Sequence, residues 1–370
     1  MVGALAARPV AITPPSHDHA IMKPLHIANH SHLSPQWRWL EPRLDSAALS
    51  WSQHSSLQQP RLHDIPLLGT RLARLLAAQS AVAQASATDR ALLVSHGPRP
   101  AWYAARLAQW RGRGDLPHLA FSFNFTELPG GWIRREMARA FASIDRFTVF
   151  SSLERKLYAD YFDLDPARID MLHWGVQPPE AATLPRPPVS GRYVCAVGSQ
   201  GRDYQTLLRA VRQLPRIPLH LVVHPENLRG LELPANVTVH ASVPNAVANG
   251  IIAHAALMVL PLQHERVPCG HVTAVTAMHL GVPIVATDSA GLHDYLRDGQ
   301  TAMLVPPHDP DAMARSIQSA WEDADPAKKL ASRALRFAQA HCTEDTILQY
   351  LRAYLDARFG LKLSMPRMQA

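Results

Sequence analysis

The stretch Cys269-Gly-His-Val-Thr-Ala-Val-Thr-Ala-Met-His-Leu-Gly-Val-Pro-Ile-Val-Ala-Thr287 decides the reading of this chain. It reads as glycine turn, short helix, tight turn and buried strand. Gly270 lets the backbone turn sharply. Thr273 to Leu280 is mostly apolar and compatible with a helix. Gly281 can stop that helix, and Val282 to Thr287 has the pattern of an interior parallel strand. A glycine turn feeding a helix presents free N–H groups and the positive end of a dipole, which suits a phosphate. The same arrangement also serves as plain scaffold in α/β folds, so on the local pattern both readings stand.

Strand and helix alternate on both sides of this stretch. In the first half, strands are expected at Pro24 to Asn29, Ala47 to Trp51, Ala91 to Ser95, His118 to Phe125, Phe147 to Phe150 and Ile169 to His173. Helices are expected around Pro35 to Leu44 and over Leu67 to Ala85, Trp102 to Trp110, Ile133 to Ala142 and Leu153 to Phe162. Leu67 to Ala85 is rich in Leu and Ala and reads as amphipathic. Gln177 to Arg192 carries five prolines and no periodicity, as an interdomain linker does. The alternation then restarts, with strands at Tyr193 to Val197, Leu219 to Val223, Val237 to His240, Ala256 to Leu260 and Ala302 to Val305. Helices are expected at Tyr204 to Gln213, within Val243 to His254, near Gly291 to Leu296, and from Asp309, where Asp309-Pro310 supplies cap and first turn. Pro326 to Phe359 reads as helix in two pieces. Alternation in both halves implies an α/β protein with two doubly wound, Rossmann-like sheets facing a cleft.

Length and composition agree. The 370 residues exceed one average domain, and 47% hydrophobic content supports sizeable cores. The expected organisation is a flexible leader over 1–22, a first domain over 23–176, a linker over 177–192, a second domain over 193–340, and a closing helix and tail over 341–370. Met22-Lys23 is an alternative start. The first 22 residues lack the regions of a signal peptide, and no apolar run reaches the roughly 18 residues of a spanning helix. Cys195, Cys269 and Cys342 have no metal-ligand spacing and read as core residues in a reducing compartment. The twenty histidines are scattered. The HxxxH pairs His26/His30 and His220/His224 fall on or beside strands, where the rings would lie about 13 Å apart, so no metal site is expected. A net charge of +7 favours anionic partners. No nucleic-acid motif is found. The interleaved Trp110-Arg-Gly-Arg113 and Trp132-Ile-Arg-Arg135 point instead to an anionic membrane surface, hence to a cytoplasmic protein with peripheral attachment at the inner membrane face.

Taken together, the second half resembles a GT-B glycosyltransferase of the large family 4 type (glycosyl transferases group 1). The residues that carry the resemblance are Val197-Gly198-Ser199, Arg202-Asp203-Tyr204 and Thr206-Leu-Leu208. Next come Val237 to Pro244, Met258-Val-Leu-Pro-Leu262, Gly270 through Thr287, Gly291 to Leu296, Asp298-Gly299 and Leu304 to Pro310. Their order and spacing match over about residues 193 to 320, and the first domain matches only loosely. The resemblance implies a metal-independent transferase of hexosyltransferase type. A nucleoside-diphosphate sugar would be held as co-substrate by the second domain, with no other cofactor. A saccharide or lipid-linked acceptor would sit against the first domain, in polysaccharide or glycolipid assembly.

It also implies a donor set. Arg202 stands where the family usually has a phosphate-binding lysine, and its guanidinium can grip phosphate bidentately. Gly198 and Ser199 form the first turn, with Ser199 in place of a frequent arginine. Gly270, His271, Val272 and Thr273 would offer N–H groups or a hydroxyl, Val243 lies beside the base, and Gly175 allows close donor approach. The family's second loop glutamate is replaced by Thr276, which could bond a ribose hydroxyl or be a core helix residue. Glu265 lies two residues early for the first glutamate. In the first domain, His96 after a buried strand can act as a base near neutral pH, and Asn124 can bond sugar hydroxyls. His30 and His32 could also face the cleft. Two other classes stay open: a sugar-nucleotide epimerase, and a non-catalytic GT-B-like binding protein.

Overall fold

Residues 23–32, 40–44, 46–58, 69–186, 189, 191–263 and 268–363 are described by a computed structural model. The amino-terminal run is β1 (Leu25–Ser31), α1 (Leu40–Arg43), β2 (Leu49–Ser55), α2 (Gly69–Ser86), β3 (Ala91–His96), α3 (Pro98–Trp110), β4 (His118–Phe121), α4 (Gly131–Phe141), β5 (Arg146–Val149), α5 (Ser152–Phe162) and β6 (Ile169–Met171). The second run begins with β7 (Val194–Val197), α6 (Tyr204–Arg212), β8 (Leu219–Val223), β9 (Val237–Ala241), α7 (Asn245–Ala253) and β10 (Leu257–Leu260). It continues with α8 (His271–His279), β11 (Ile284–Thr287), β12 (Met303–Val305), α9 (Pro310–Glu322), α10 (Ala324–His341) and α11 (Glu344–Phe359).

Each run closes its own six-stranded sheet. The orders are β2-β1-β3-β4-β5-β6 and β12-β11-β10-β7-β8-β9. Pairing is parallel throughout, as in β7 with β10, where Val194 faces Leu257 and Cys195 faces Met258. In the second sheet the order reverses between β7 and β10. Ligands of open α/β sheets settle at such switch points, outside the carboxyl ends of the strands.

Helix α11 packs on the first sheet, not the second. Its Ile347, Leu348, Leu351 and Leu355 share one buried cluster with Leu25 and Ile27 of β1 and Leu92 and Val94 of β3. Burying each such side chain stabilises by about 1.5–3 kcal/mol. Polar ties reinforce the docking: Arg43 pairs with Glu344 at 2.5 Å, and the Tyr350 hydroxyl donates to Asp170 at 2.7 Å. The chain therefore crosses between domains twice, near Val176 and near Thr343, and the two crossings form an isolated parallel bridge.

One face left open by the sequence is settled, and two elements differ from expectation. Helix α2 buries its alanines, among them Ala73, Ala77, Ala78 and Ala81, while Leu72 and Leu76 are exposed. Small side chains let it approach a sheet face rich in His and Ser. Strand β4 stops at Phe121 because Ser122 takes a left-handed φ of 53°. Near Gly291 there is only one turn, Ala290–Leu292, in place of a helix to Leu296. The leader over 1–22 and the first half of the helix expected at 35–44 lie outside the described residues.

The face of the first sheet under α2 carries a polar layer. His26 bonds Ser50 and Ser52 at 3.0 Å each, and His54 bonds Ser52 at 2.8 Å and Ser80 at 3.0 Å. His118 bonds Ser95 at 2.9 Å. His30, in register with His54 and Ser95, is 0% exposed, and neither ring nitrogen has a partner among the described residues. Burial holds all these imidazoles neutral: His54 is pushed down to about 4, His118 to about 3, and His30 well below its ordinary value. A histidine whose folded pKa is depressed binds fewer protons when folded, so its penalty is absent above pH 6.5 and grows as pH falls. Each fully buried one costs up to about 1.4 kcal/mol per pH unit below that point. Denaturant unfolding between pH 7.5 and pH 5 should therefore record a steep loss of stability, and His118→Gln should flatten the slope by about one such increment.

Candidate functional site

The β7–α6 turn is built around one cation. Arg202 is only 6% exposed. Its Nε donates to the Val197 carbonyl at 3.3 Å, one terminal nitrogen to the Gln200 carbonyl at 2.8 Å, and the other to Thr273 Oγ1 at 3.0 Å. A guanidinium has five N–H bonds, so these three leave two. No carboxylate pairs with it among the described residues. The neighbouring Asp203 carboxylate is committed elsewhere: it caps α6 through the Thr206 N–H at 3.0 Å and pairs with His308 at 2.9 Å. Burial lowers the pKa of Arg202, with Tyr204 and Cys269 acting weakly the other way. A buried cation without a counterion costs several kcal/mol, which an incoming anion relieves.

Glycine makes room for this side chain. Gly198 has φ 118°, and a Cβ there would lie 2.5 Å from the guanidinium. The Tyr204 hydroxyl donates to the Gly198 carbonyl and holds the turn. Across from it, α8 starts at Gly270, φ 90°, with no side-chain cap. The first intrahelical bond is Ala274 N–H to the Gly270 carbonyl, 2.9 Å. The N–H groups of His271, Val272 and Thr273 precede it and have no helical acceptor. All three residues line the same crevice as Arg202, so dipole and guanidinium converge on it.

That crevice has a volume of about 270 Å³. The second domain gives it Ser199, Arg202 and the Gly270 to Thr273 turn, and the first domain gives it Asn124, Phe125, Phe150 and Trp174. No carboxylate lines it among the described residues. Ser199 Oγ accepts from the His224 N–H at 2.9 Å, which leaves its own proton to donate. Val272, 52% exposed, forms an apolar lip.

Other residues singled out from the sequence lie elsewhere or are engaged. His271 lines the crevice, but Nε2 bonds the Gly291 carbonyl at 3.0 Å and burial pushes its pKa down to about 4. Thr276 is buried and donates to the Val272 carbonyl one turn back, at 2.8 Å. Val243 is not among the lining residues. Gly175 borders a second cavity instead, and a Cβ there would come within 2.3 Å of the Thr343 carbonyl oxygen. His96 is 7% exposed, with Nε2 bonded to Asn29 Oδ1 at 2.7 Å and its pKa pushed down to about 3 by burial. His30 is shut in the sheet layer. Glu265 lies outside the described residues. Among those described, no three His, Cys, Asp or Glu residues are placed to hold a metal ion.

Sequence reasoning missed the network that fixes the crevice walls. Ser151 caps α5, as its position before Glu154 suggests, accepting the Glu154 N–H at 3.1 Å. The Glu154 carboxyl then accepts the Phe150 N–H at 2.8 Å and the Tyr158 hydroxyl at 3.1 Å, and Tyr158 accepts the Phe125 N–H at 2.9 Å. From the second domain, the Tyr295 hydroxyl donates to the Phe150 carbonyl at 2.7 Å and accepts the Trp174 N–H at 2.7 Å. Phe125, Phe150 and Trp174 are thus held by one buried relay across the domain boundary. Asp294 adds a clamp, accepting from both N and Oγ of Ser152 at 2.8 Å.

Residues 191–323 match the profile of the family described as Glycosyl transferases group 1. A D-inositol 3-phosphate glycosyltransferase of a Nocardioides species is 28% identical over 252 residues, covering 59% of this chain and 55% of that protein. One from Mycolicibacterium gilvum is 28% identical over 242 residues, covering 58% and 53%. The chain thus spans about half the length of these relatives. Two solved structures are similar over nearly the whole chain. Sucrose-phosphate synthase from Thermosynechococcus elongatus has a TM-score of 0.69 at 18% identity, covering 92% of this chain and all of that one. HepE of Anabaena in complex with UDP has 0.66 at 17%, covering 91% and 100%. The fold is GT-B: two Rossmann-like domains, with the crevice at the switch point of the second.

Burial raises the Glu154 pKa to about 7, against the hydrogen bonds from Phe150, Tyr158 and Ser151 that lower it. A carboxyl with a raised folded pKa contributes stability that is full below its unfolded value of 4.5 and lost as pH rises through about 7. Glu154→Gln does not titrate. The stability of the parent relative to this variant should fall between pH 5 and pH 8 by up to about 1.4 kcal/mol per pH unit, as denaturant titrations at both ends will record.

Proposed function

We propose that the protein is a glycosyltransferase that moves a sugar from a nucleoside diphosphate to a hydroxyl acceptor. The observation that carries this reading is the buried Arg202 guanidinium, paired with no carboxylate among the described residues, facing the uncapped start of α8. The match of residues 191–323 to the group 1 family, and the UDP and inositol-phosphate chemistry in the names of similar proteins, support it. In such a reaction the bond from the anomeric carbon to the diphosphate breaks as a bond to the acceptor oxygen forms. Negative charge builds on the leaving diphosphate. Arg202 and the N–H groups at His271, Val272 and Thr273 would stabilise that charge from fixed positions, the kind of preorganised term that dominates many enzymes. Asn124 and Ser199 would orient hydroxyls. A crevice closed between two domains keeps water from the donor. An epimerase needing acidic groups finds no carboxylate among the described lining residues.

Calorimetric titration with UDP, GDP and ADP tests the reading. At least one should bind, and Arg202→Ala should weaken it roughly tenfold to a hundredfold, the loss of a charged hydrogen bond. Arg202→Lys should recover part of the affinity. Folded protein that binds none of the three would sink the proposal. Retained hydrolysis of the donor sugar, lost in Arg202→Ala, would separate an enzyme from a binding protein.

The same reading places the amino-terminal domain on an anionic membrane surface, with a lipid-linked acceptor. Trp132 is 61% and Ile133 36% exposed in the first turn of α4, with Arg135 exposed beside them, and Leu72 and Leu76 stand out of α2 at 42% and 36%. No helix of the described residues is long and apolar enough to cross a membrane. Sedimentation with vesicles containing anionic lipid should carry the protein down, and Trp132→Ser with Arg135→Ser should leave it in the supernatant.

A further inference from the structure

One short loop of the second domain touches both walls of the crevice. It runs from Ser289 to Leu296, between β11 and β12, and its own hydrogen bonds stiffen it. The Leu292 N–H donates to the Ser289 carbonyl at 2.8 Å, and the Tyr295 and Leu296 N–H groups donate to the Leu292 carbonyl at 2.9 and 2.8 Å. Near its beginning, Gly291 lies against the turn that opens α8. A Cβ there would come within 2.7 Å of Pro268 Cα, and the Gly291 carbonyl accepts from His271 Nε2 at 3.0 Å. Pro268 and His271 both line the crevice.

Four residues on, Tyr295 reaches the first-domain wall. It is 1% exposed. Its ring makes edge contacts with His271 of its own domain and His173 of the other, at 5.0 and 5.1 Å between centroids. Its hydroxyl donates to the Phe150 carbonyl and accepts the Trp174 N–H, both at 2.7 Å. One phenol thus holds two lining residues by their backbones. Phe150 is gripped from the other side as well, since its N–H goes to Glu154 at 2.8 Å. Binding a diphosphate needs only Arg202 and the N–H groups of α8, and the Tyr295 hydroxyl spends both its bonds on the first domain. Transfer needs alignment too, and a misplacement of about 1 Å can cost on the order of a hundredfold in rate.

We propose that Tyr295 is a positioning residue for sugar transfer. It joins the start of α8 to the Phe150 and Trp174 wall, so that filling the crevice orders both domains together. This role presupposes the sugar-transfer reading above.

Hydrogen–deuterium exchange of the full chain, with and without saturating UDP, tests it. UDP should slow exchange at 198–203 and 269–274 in the second domain, and also at 150–154 and 172–176 in the first. In Tyr295→Phe the second-domain slowing should remain and the first-domain slowing should vanish. By linkage, UDP affinity should then fall only by the coupling lost, about fivefold. Where the parent hydrolyses UDP-glucose, kcat should fall about tenfold or more in the variant, with KM moved no further than UDP affinity. A tyrosine that merely fills the core gives another result: a lower melting temperature, with UDP slowing both domains as in the parent. That outcome overturns the assignment. Gly291→Ala drives a methyl group into Pro268 and parts the loop from the α8 turn with the Tyr295 hydroxyl intact. It too should lose the first-domain slowing, and it decides the matter if Tyr295→Phe does not fold; a first-domain response kept in Gly291→Ala counts against the role. A parent in which UDP binds but slows only the second domain sinks this inference alone. A parent that binds no nucleotide sinks the sugar-transfer reading first, and this inference with it.

Discussion

A buried positive charge, with no negative one beside it among the described residues, is the constraint around which the second domain is arranged. Within those residues Arg202 makes hydrogen bonds only to carbonyls and a hydroxyl, and its neighbour Asp203 is turned to the start of α6 and to His308. Holding that state requires a stiff turn. Gly198 supplies a backbone that other residues rarely adopt, Tyr204 ties it down, and Arg202 and Leu262 form a bridge that joins the turn to the end of β10. The start of α8 contributes a second positive end without a counter-charge. Two like potentials held a few ångströms apart in a low dielectric repel each other, and only a tightly packed scaffold keeps them there.

The pair of doubly wound sheets was legible in the alternation of strands and helices, because each βα unit announces itself locally. Gly270, the helix after it and the strand to Thr287 are contiguous in sequence, so the phosphate-type turn could be read without tertiary information. The strand orders could not, since nothing local says that β7 lies between β8 and β10. Which face of α2 is buried could not be read from the sequence, for a physical reason. Its leucines look like the buried stripe, but the sheet beneath is lined with His and Ser, and alanine permits the closest approach.

The walls of the crevice were harder. Phe150 and Trp174 come from different strand ends, and their anchors reach from Glu154 on α5 and from Tyr295 in the other domain. A Ser-x-x-Glu start to α5 signals a cap. It does not signal that the same carboxyl also holds Phe150. His96 and His30 looked like cleft residues because they end strands. In the sheet, neighbouring strands cover them, and burial leaves both neutral. Strand-end position alone does not separate a histidine that meets solvent from one roofed over.

The paired interdomain crossings have a mechanical meaning. Val176 donates to the Cys342 carbonyl at 3.2 Å, and the missing side chain of Gly175 is replaced by the backbone of Thr343. Two chain segments fastened side by side act as a hinge pin. Any rotation of one lobe about that pin would move the mouth of the crevice, at Val272, farther than its floor, and the groups beside the pin would keep their geometry.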